Sequence, residues 1–549
     1  MQLISAGIEM KPIRFSKPVL TSLFLLLLAP FTLTVEAGKK PAWVTNHGRS
    51  EKYSQRRYLT GFGQANGITP DSQQVALDNA RASLSQKVLV KINHTISNYQ
   101  ADDGQDISQQ FSSVTHSSSA LQVVGLKELG YVNDSRKNPR SYALVYILRH
   151  ELAQLYQAKL KTLTAEIRQI IQLAETNKAQ KQMALQYYCQ TLPLFEKLTE
   201  SQTILLSVSA TQSLADLAYQ ELEELPPLPT KNEINGHIQQ LALHSLNSLD
   251  DVAGAIMFQL LQQFDPEGKQ TLVQPFFYQD TRLTAQISRY LKQLLESKWG
   301  NSVQPASRFQ ARSVQYTREM AVSAGAEYII NGSYWEQGEK INVMALCRQL
   351  QTGEVKASAN VEFNRRILTE GQSLKPQNFE QAMAQQMAFA QQVIESKQLR
   401  LEVWTDRGKE ALLYSQGELM TVYLRSNQPC HVRLLYILAN GQKTVLVDNL
   451  KINAESINKA MVINELLDIN FECSSPFGAE MLIAVGRNRP FDRLESREEN
   501  GYFYVEVDDP SQLASLTRGT RGFKRRKRKD QSVEQTEDKL IITTVPFNF

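Results

Sequence analysis

The apolar core Val19–Leu28 constrains this chain more than any other stretch, because it decides the solvent in which the rest must fold. Lys11, Arg14 and Lys17 precede it as a basic n-region, and Val35 and Ala37 follow as the small residues a signal peptidase reads. The run is short for a membrane span, so residues 1–37 are expected to be a cleavable secretory signal, its n-region beginning at Met10. A retained anchor is the other reading of the same residues. No second long apolar segment follows, and no cysteine stands at or near position 38. The expectation is therefore an exported, non-lipidated chain whose apolar residues are buried inside water-soluble domains of a Gram-negative periplasm.

The remainder of the 549 residues is enough for roughly three or four domains, and a hydrophobic content of 42% supplies ordinary cores. The formal charge of +4 is concentrated in one run, Arg518, Arg521, Lys524, Arg525, Arg526, Lys527, Arg528 and Lys529. Without that run the body is acidic, which argues against a general nucleic-acid binder. The run itself is a candidate patch for an anionic partner, such as lipopolysaccharide at the outer membrane, or else a solvated loop. The four cysteines, Cys189, Cys347, Cys430 and Cys473, have no CxxC spacing, so no zinc or thioredoxin-type chemistry is expected. Cys430 and Cys473 fall in one strand-rich region and are candidates for a disulfide in an oxidising compartment; Cys189 and Cys347 read as buried thiols.

Periodicity divides the chain into units. Residues 41–150 give a strand at "YLTGFGQA", then a helix with Thr69 as N-cap and Pro70 at its first position, then two antiparallel strands. Leu77, Ala80, Leu84 and Val88 share one face of that helix. Residues 151–263 read as a helical spacer with a coiled-coil-like stripe, Tyr156 to Ala174, and a Pro-rich linker at 226–232. Residues 264–375 read as an α/β unit: "KQTLVQPFFYQD" as a strand, an amphipathic helix, then a further helix and three strands turning at Gln337-Gly338 and Thr352-Gly353. A helix over 378–397 precedes residues 399–549, a β-sandwich with a hairpin at Asn440-Gly441 and "KLIITTVPF" returning to its sheet. The fold class is thus α+β and multi-domain.

Tests for chemistry come back empty. "YLTGFGQANG" places glycines at 61, 63 and 67, but a dinucleotide loop needs GxGxxG opening directly into a helix and an acid some way beyond. Here the helix waits until Pro70 and residues 84–90 hold no acid, so the glycines are read as serving a strand end and a turn. GxSxG, HExxH and Walker A patterns are missing. His237 and His244 lie two helical turns apart, and Asp102–Asp106 lacks the other ligands of a calcium loop. No cofactor, metal or catalytic residue is expected.

Three resemblances follow. Residues 41–150, with "PAWV", "YLTGFGQA", "ALDNARASLSQKVLVKI" and "RSYALVYILRHEL", resemble the family of small outer-membrane lipoproteins of bacteria, without its lipidated cysteine. "LVQPFFYQDT" and "AVSAGAEYIINGSYWEQGEKINVMALCRQLQTGEVKASA" resemble the α/β domain shared by curli-secretion-channel-like and TolB N-terminal-like proteins. The flagellar T-ring assembly protein combines comparable modules. Residues from "VWTDRGKEALLYSQGELM" through "LYILANG" and "PFGAE" are similar to a widespread bacterial domain of unknown function. None of these implies a catalytic residue.

The combined expectation is a non-enzymatic envelope protein that scaffolds or helps assemble a surface or secretion apparatus. It would dock other envelope proteins through exposed strand edges of its α/β and β-sandwich domains, with an oligomer left open. A glycan- or ligand-binding sensor is the alternative, and a cell-wall enzyme the third reading.

Overall fold

The computed structural model describes residues 40–103, 125–135, 139–208, 228–242, 246–300, 302–304, 316–390, 399–492, 494, 496–499, 502–505 and 534–547. The expected signal at 1–37 and the basic run at 518–529 lie outside the described residues.

The first domain is a three-stranded antiparallel sheet in the order β1 (Tyr58–Asn66), β3 (Arg140–Leu148), β2 (Lys127–Asn133). A short helix α1 (Ala42–Thr45) precedes it, and α2 (Pro70–Asp103) lies across one face. The α2 helix starts where its sequence says it should: the Ser72 amide donates to Thr69 Oγ1 at 3.2 Å and Pro70 holds the first position. Ala76, Leu77, Ala80, Leu84 and Val88 are all buried against the sheet. The glycines of "YLTGFGQANG" explain how close the helix comes. A Cβ added at Gly61 would lie 2.0 Å from the Ala80 carbonyl oxygen, and one at Gly63 would lie 2.0 Å from that of Ala76. Both positions must be bare for the α2 backbone to rest on β1. Gly67, with φ +85°, makes the turn between them.

Helix α3 (Arg149–Thr176) continues directly from β3, and α4 (Lys181–Val208) packs back along it. The stripe Tyr156, Leu160, Leu163, Ile167 and Ala174 is buried in the same core as α2, α4 and α5 (Lys231–Ala242). The hairpin therefore forms a wall of the first domain. Its far side, α4, packs on the next unit.

That unit places α6 (Leu249–Leu261) and α7 (Gln286–Trp299) against a sheet ordered β6 (Ser302–Val303), β4 (Thr271–Val273), β7 (Tyr328–Gln337), β8 (Lys340–Gln349), β9 (Val355–Asn364). The single strand expected over 269–280 is two, β4 and β5 (Phe277–Tyr278), both parallel to β7. Pro275, which has no N–H to give the ladder, sits in the break. The tight turns come where expected, with Gly338 at φ +61° and Gly353 at φ +69°. Ile341, Val343, Ala345 and Cys347 fill the core on one face, and the other face meets α4 through a buried Arg348–Glu200 ion pair.

The C-terminal domain is a β-sandwich. A seven-stranded sheet runs β11 (Leu412–Ser415), β21 (Gln535–Val545), β18 (Gly478–Arg487), β14 (Cys430–Ile437), β15 (Lys443–Ile452), β20 (Tyr502–Tyr504), β19 (Arg497–Glu499). A three-stranded sheet of β10 (Leu401–Thr405), β13 (Val422–Ser426) and β16 (Met461–Val462) faces it across Leu401, Val403, Leu424, Leu434, Leu482 and Leu540. Asn440-Gly441 forms the hairpin turn, and β21 returns along the whole of β18. Two connecting helices, α8 (Tyr316–Ser323) and α9 (Phe379–Ala390), are sandwiched between this domain and the preceding unit or its own outer face.

The expected Cys430–Cys473 bridge is not formed; all four cysteines are free and buried. Register gives the reason. Cys430 precedes His431, which pairs with Arg487 at one end of β18, whereas Cys473 Sγ meets the carbonyl of Tyr414, which is level with Gly478 at the other end. Those ends are roughly 30 Å apart at about 3.3 Å per residue, far beyond the Cα separation of about 7 Å that a disulfide tolerates.

Candidate interaction surfaces

Among the described residues no group of three or more His, Cys, Asp or Glu side chains is placed to hold a metal. His237 is stacked on Tyr188 at 5.0 Å, a packing role, and His244 lies outside the described residues. The most perturbed carboxyl is Glu480, buried in the sandwich, where desolvation pushes it up to about 7. The Tyr436 hydroxyl at 2.6 Å and the Ala439 amide at 3.3 Å donate to it and pull the other way. No helix among the described residues is long and apolar enough to cross a membrane.

The expectation of docking through open strand edges can be checked strand by strand. In the α/β unit the free edge of β9 is closed by two glutamines, Gln259 on α6 and Gln263 just past its end. The Asn360 amide donates to Gln259 Oε1 at 2.8 Å and Gln259 Nε2 returns a bond to the Asn360 carbonyl at 3.2 Å. Gln263 does the same to Ser358, at 2.9 and 2.7 Å. One helical turn rises about 6 Å over four residues, and two strand residues span nearly the same, about 6.7 Å. The two carboxamides thus occupy the slots a tenth strand would use. At the other extreme of the chain, the β11 edge is closed by Arg407, which donates to the Leu413 carbonyl, and by Glu418, which accepts from the Ser415 amide at 2.6 Å. The β19 edge carries Arg497, Glu498 and Glu499, all exposed, a charged rim that discourages pairing. The β9, β11 and β19 edges are therefore closed or charged.

The first domain differs. Its β1 edge is covered from α2: Lys87 Nζ donates to the Thr60 carbonyl at 2.8 Å and Asn79 Nδ2 to that of Gln64 at 3.1 Å. Those two bonds mark Thr60 and Gln64 as outward residues. Antiparallel alternation then turns the backbone of Tyr142, Leu144 and Tyr146 toward β2, and leaves Glu128, Gly130 and Val132 facing out on β2. Among the described residues β3 is the one strand beside β2, and no side chain bonds the outward backbone of those three residues. On the sheet face away from α2, Leu129 and Tyr131 are half-buried and continue an aromatic layer of Trp43, Tyr53, Phe62, Tyr142 and Tyr146. Lys127 on the same strand pairs with Glu151 at 3.0 Å.

Sequence reasoning placed the strand but not its openness, which depends on what the rest of the chain leaves uncovered. Arg518, Arg521 and Lys524 to Lys529 lie outside the described residues, so the structure says nothing of the basic run.

No protein-family model matches this sequence, and no curated protein does. Among solved structures, the LpoB C-terminal domain from Salmonella enterica is 14% identical, covering 22% of this chain and 96% of that one, with a TM-score of 0.17. The LpoB C-terminal domain from Escherichia coli is 15% identical over 21% of this chain and 99% of that one, also with a TM-score of 0.17. The secreted protein HP1454 from Helicobacter pylori is 14% identical, covering 58% of this chain and 93% of that one, with a TM-score of 0.20. At TM-scores this small, the likenesses do not say what the chain does.

Proposed function

We propose that this chain is an exported, non-catalytic protein of the bacterial envelope that works by protein–protein contact, as a scaffold or assembly factor of a surface or secretion apparatus. The observation that carries this reading is the β2 edge, which among the described residues has neither a second neighbouring strand nor a side-chain bond on its outward backbone, in a molecule that closes β1, β9 and β11 with side chains of its own. A partner strand added there gains main-chain hydrogen bonds from the half-buried Glu128 and Val132, while Leu129 and Tyr131 offer an apolar and aromatic surface for its side chains.

The test is cross-linking in intact cells from a photoreactive residue at Tyr131, followed by mass spectrometry of what is bound. Recovery of one stoichiometric set of envelope proteins supports the reading. Val132→Pro, which removes an outward N–H and leaves the ladder to β3 intact, should abolish that cross-link without unfolding the domain. A free chain with no cross-linked partner would overturn it.

A further inference from the structure

The outer face of the sandwich carries a row of side-chain nitrogens that the fold leaves without partners. Register sets His431 of β14 opposite Arg487 of β18, and Arg487 opposite Gln535 of β21. Directly opposed residues of antiparallel strands stand on the same side of a sheet, so these three side chains share a face. Alternation says which one. Leu435, Ile483 and Val485 lie in step with them and pack outside with Phe389 of α9 and Phe491, whereas Val432, Leu434, Leu482 and Leu540 fill the inner core. All three residues of the row are half-buried. His431 Nδ1, Arg487 Nε and Gln535 Nε2 are their inner nitrogens, and none of these atoms has a hydrogen-bond partner.

One step inward on the same face, a comparable residue is fully answered. Arg433 donates from Nε to Asp448 Oδ1 at 2.7 Å and from Nη2 to the Asp492 carbonyl at 2.6 Å. The Arg433 and Arg487 guanidinium groups both lie over the ring of Phe491, at 4.7 and 5.7 Å from its centroid. Phe491 is itself pinned, its amide donating to Asn449 Oδ1 at 2.6 Å and its carbonyl accepting from Asn449 Nδ2 at 3.1 Å. Arg433 therefore has a carboxylate, while among the described residues Arg487 has none. Glu537, the next acid on this face of β21, stands opposite Val485 and not in the row. At the other end of the row Lys451, exposed, lies opposite His431 on β15. One pair further on, β15 ends at Ile452, and the chain runs on to the first domain. There the Ile457 carbonyl accepts from Asn66 Nδ2 at 2.7 Å, and Asn458 Nδ2 donates to Asn66 Oδ1 at 3.2 Å.

A buried polar atom without a partner is destabilising, and three of them at one level of a sheet point to a partner from outside. Neighbouring strands are about 4.8 Å apart, so the row is about 10 Å long with Arg487 at its centre. We propose that the row is a binding site for a carboxylate, taken in the fork of Arg487 and flanked by the His431 imidazole and the Gln535 carboxamide. A guanidinium edge matches the two oxygens of a carboxylate in one plane. A tetrahedral phosphate is held best by donors from several sides, and this face offers one. Lys451 adds a positive charge on the approach. The site lies in a different domain from the β2 edge and does not rest on that reading.

The probes are succinate and a hexaglutamate peptide with blocked ends, each by titration calorimetry on the full chain. Binding of succinate assigns a small organic acid, and binding of the peptide alone assigns an acidic segment of a partner protein. In either case Arg487→Lys, which keeps the charge and loses the fork, should weaken binding at least about tenfold, the worth of one charge-assisted hydrogen bond. Gln535→Leu should weaken it as well, and because its inner nitrogen has no partner to lose, the thermal melt should not fall. Both titrations are repeated on the full chain with Lys524 to Lys529 neutralised, which should bind as the parent does. Binding that is lost with that neutralisation and kept in Arg487→Lys overturns the proposal, as does no binding of either probe. So does a Gln535→Leu melt well below that of the parent, the mark of a donor already serving the fold through bound water.

Discussion

Replacing Gly61 by alanine tests the closest contact in the first domain. The new Cβ would lie 2.0 Å from the Ala80 carbonyl oxygen and 2.7 Å from Leu84 Cβ. A carbon and a carbonyl oxygen settle at about 3.3 Å, so α2 must retreat by roughly 1.3 Å from a sheet it covers with Ala76, Ala80 and Leu84, all at most 1% exposed. Forcing a packed core apart in this way costs about 3 kcal/mol. At an unstrained strand position the same change would be expected to stabilise by about 0.5 kcal/mol through the unfolded chain, so even the sign is informative. Gly63→Ala meets Ala76 O and Ala80 N of the same helix, at 2.0 and 2.4 Å. One outward shift relieves both clashes, and the double variant should therefore cost about 4 kcal/mol, well short of the sum of the singles. The assay is urea titration read by hydrogen exchange at the amides of Ala76 to Leu84, which isolates this domain within a chain not expected to unfold in one step. A Gly61→Ala protein whose α2 amides are as protected as the parent's, or strictly additive singles, would refute the account.

Removing the glutamine seal with Gln259→Ala and Gln263→Ala deletes the four hydrogen bonds to β9, at about 1 kcal/mol each. It should lower stability and produce concentration-dependent association, read by light scattering; a stable monomer would count against the sealing role. Glu200→Ala leaves Arg348 buried without its carboxylate and should cost about 3 kcal/mol, most of it recovered by adding Arg348→Met, in thermal unfolding. Glu480 gives a pH dependence. Its folded value of about 7 exceeds the ordinary 4.5, so between those values the native state holds a proton that the unfolded chain has lost. Stability therefore falls as pH rises from 4.5 to about 7, by up to about 3 kcal/mol, and levels off above. Urea midpoints should show Glu480→Gln matching the parent at pH 4 and exceeding it at pH 8; parallel pH profiles would rule the effect out.

What the sequence disclosed was local. Thr69-Pro70, Gly338, Gly353 and Asn440-Gly441 each carry their conformational preference in the residue itself, and each stands at the helix start or turn expected of it. The stripe from Tyr156 to Ala174 showed which face of α3 is buried but not what buries it. Gln259 and Gln263 read as ordinary helix residues, because nothing in a helical period says which sheet edge will lie alongside. Cys430 and Cys473 share a domain and a core, yet their separation along β18 is a matter of register that composition does not encode. The β2 edge and the Asn66–Ile457 contact were illegible for the same reason. Both are defined by what distant segments cover or bring near, and the second joins residues 391 positions apart.

That distance has a consequence in time. The Asn66 side chain cannot find Ile457 until another 391 residues have been made. At the rate of ribosomal synthesis this is a wait of roughly 20 to 80 s, far longer than a small domain needs to fold. Whatever the first domain forms in that interval, it forms without its contact to the sandwich. For that interval the chain is a head whose contact with its last domain is still to come.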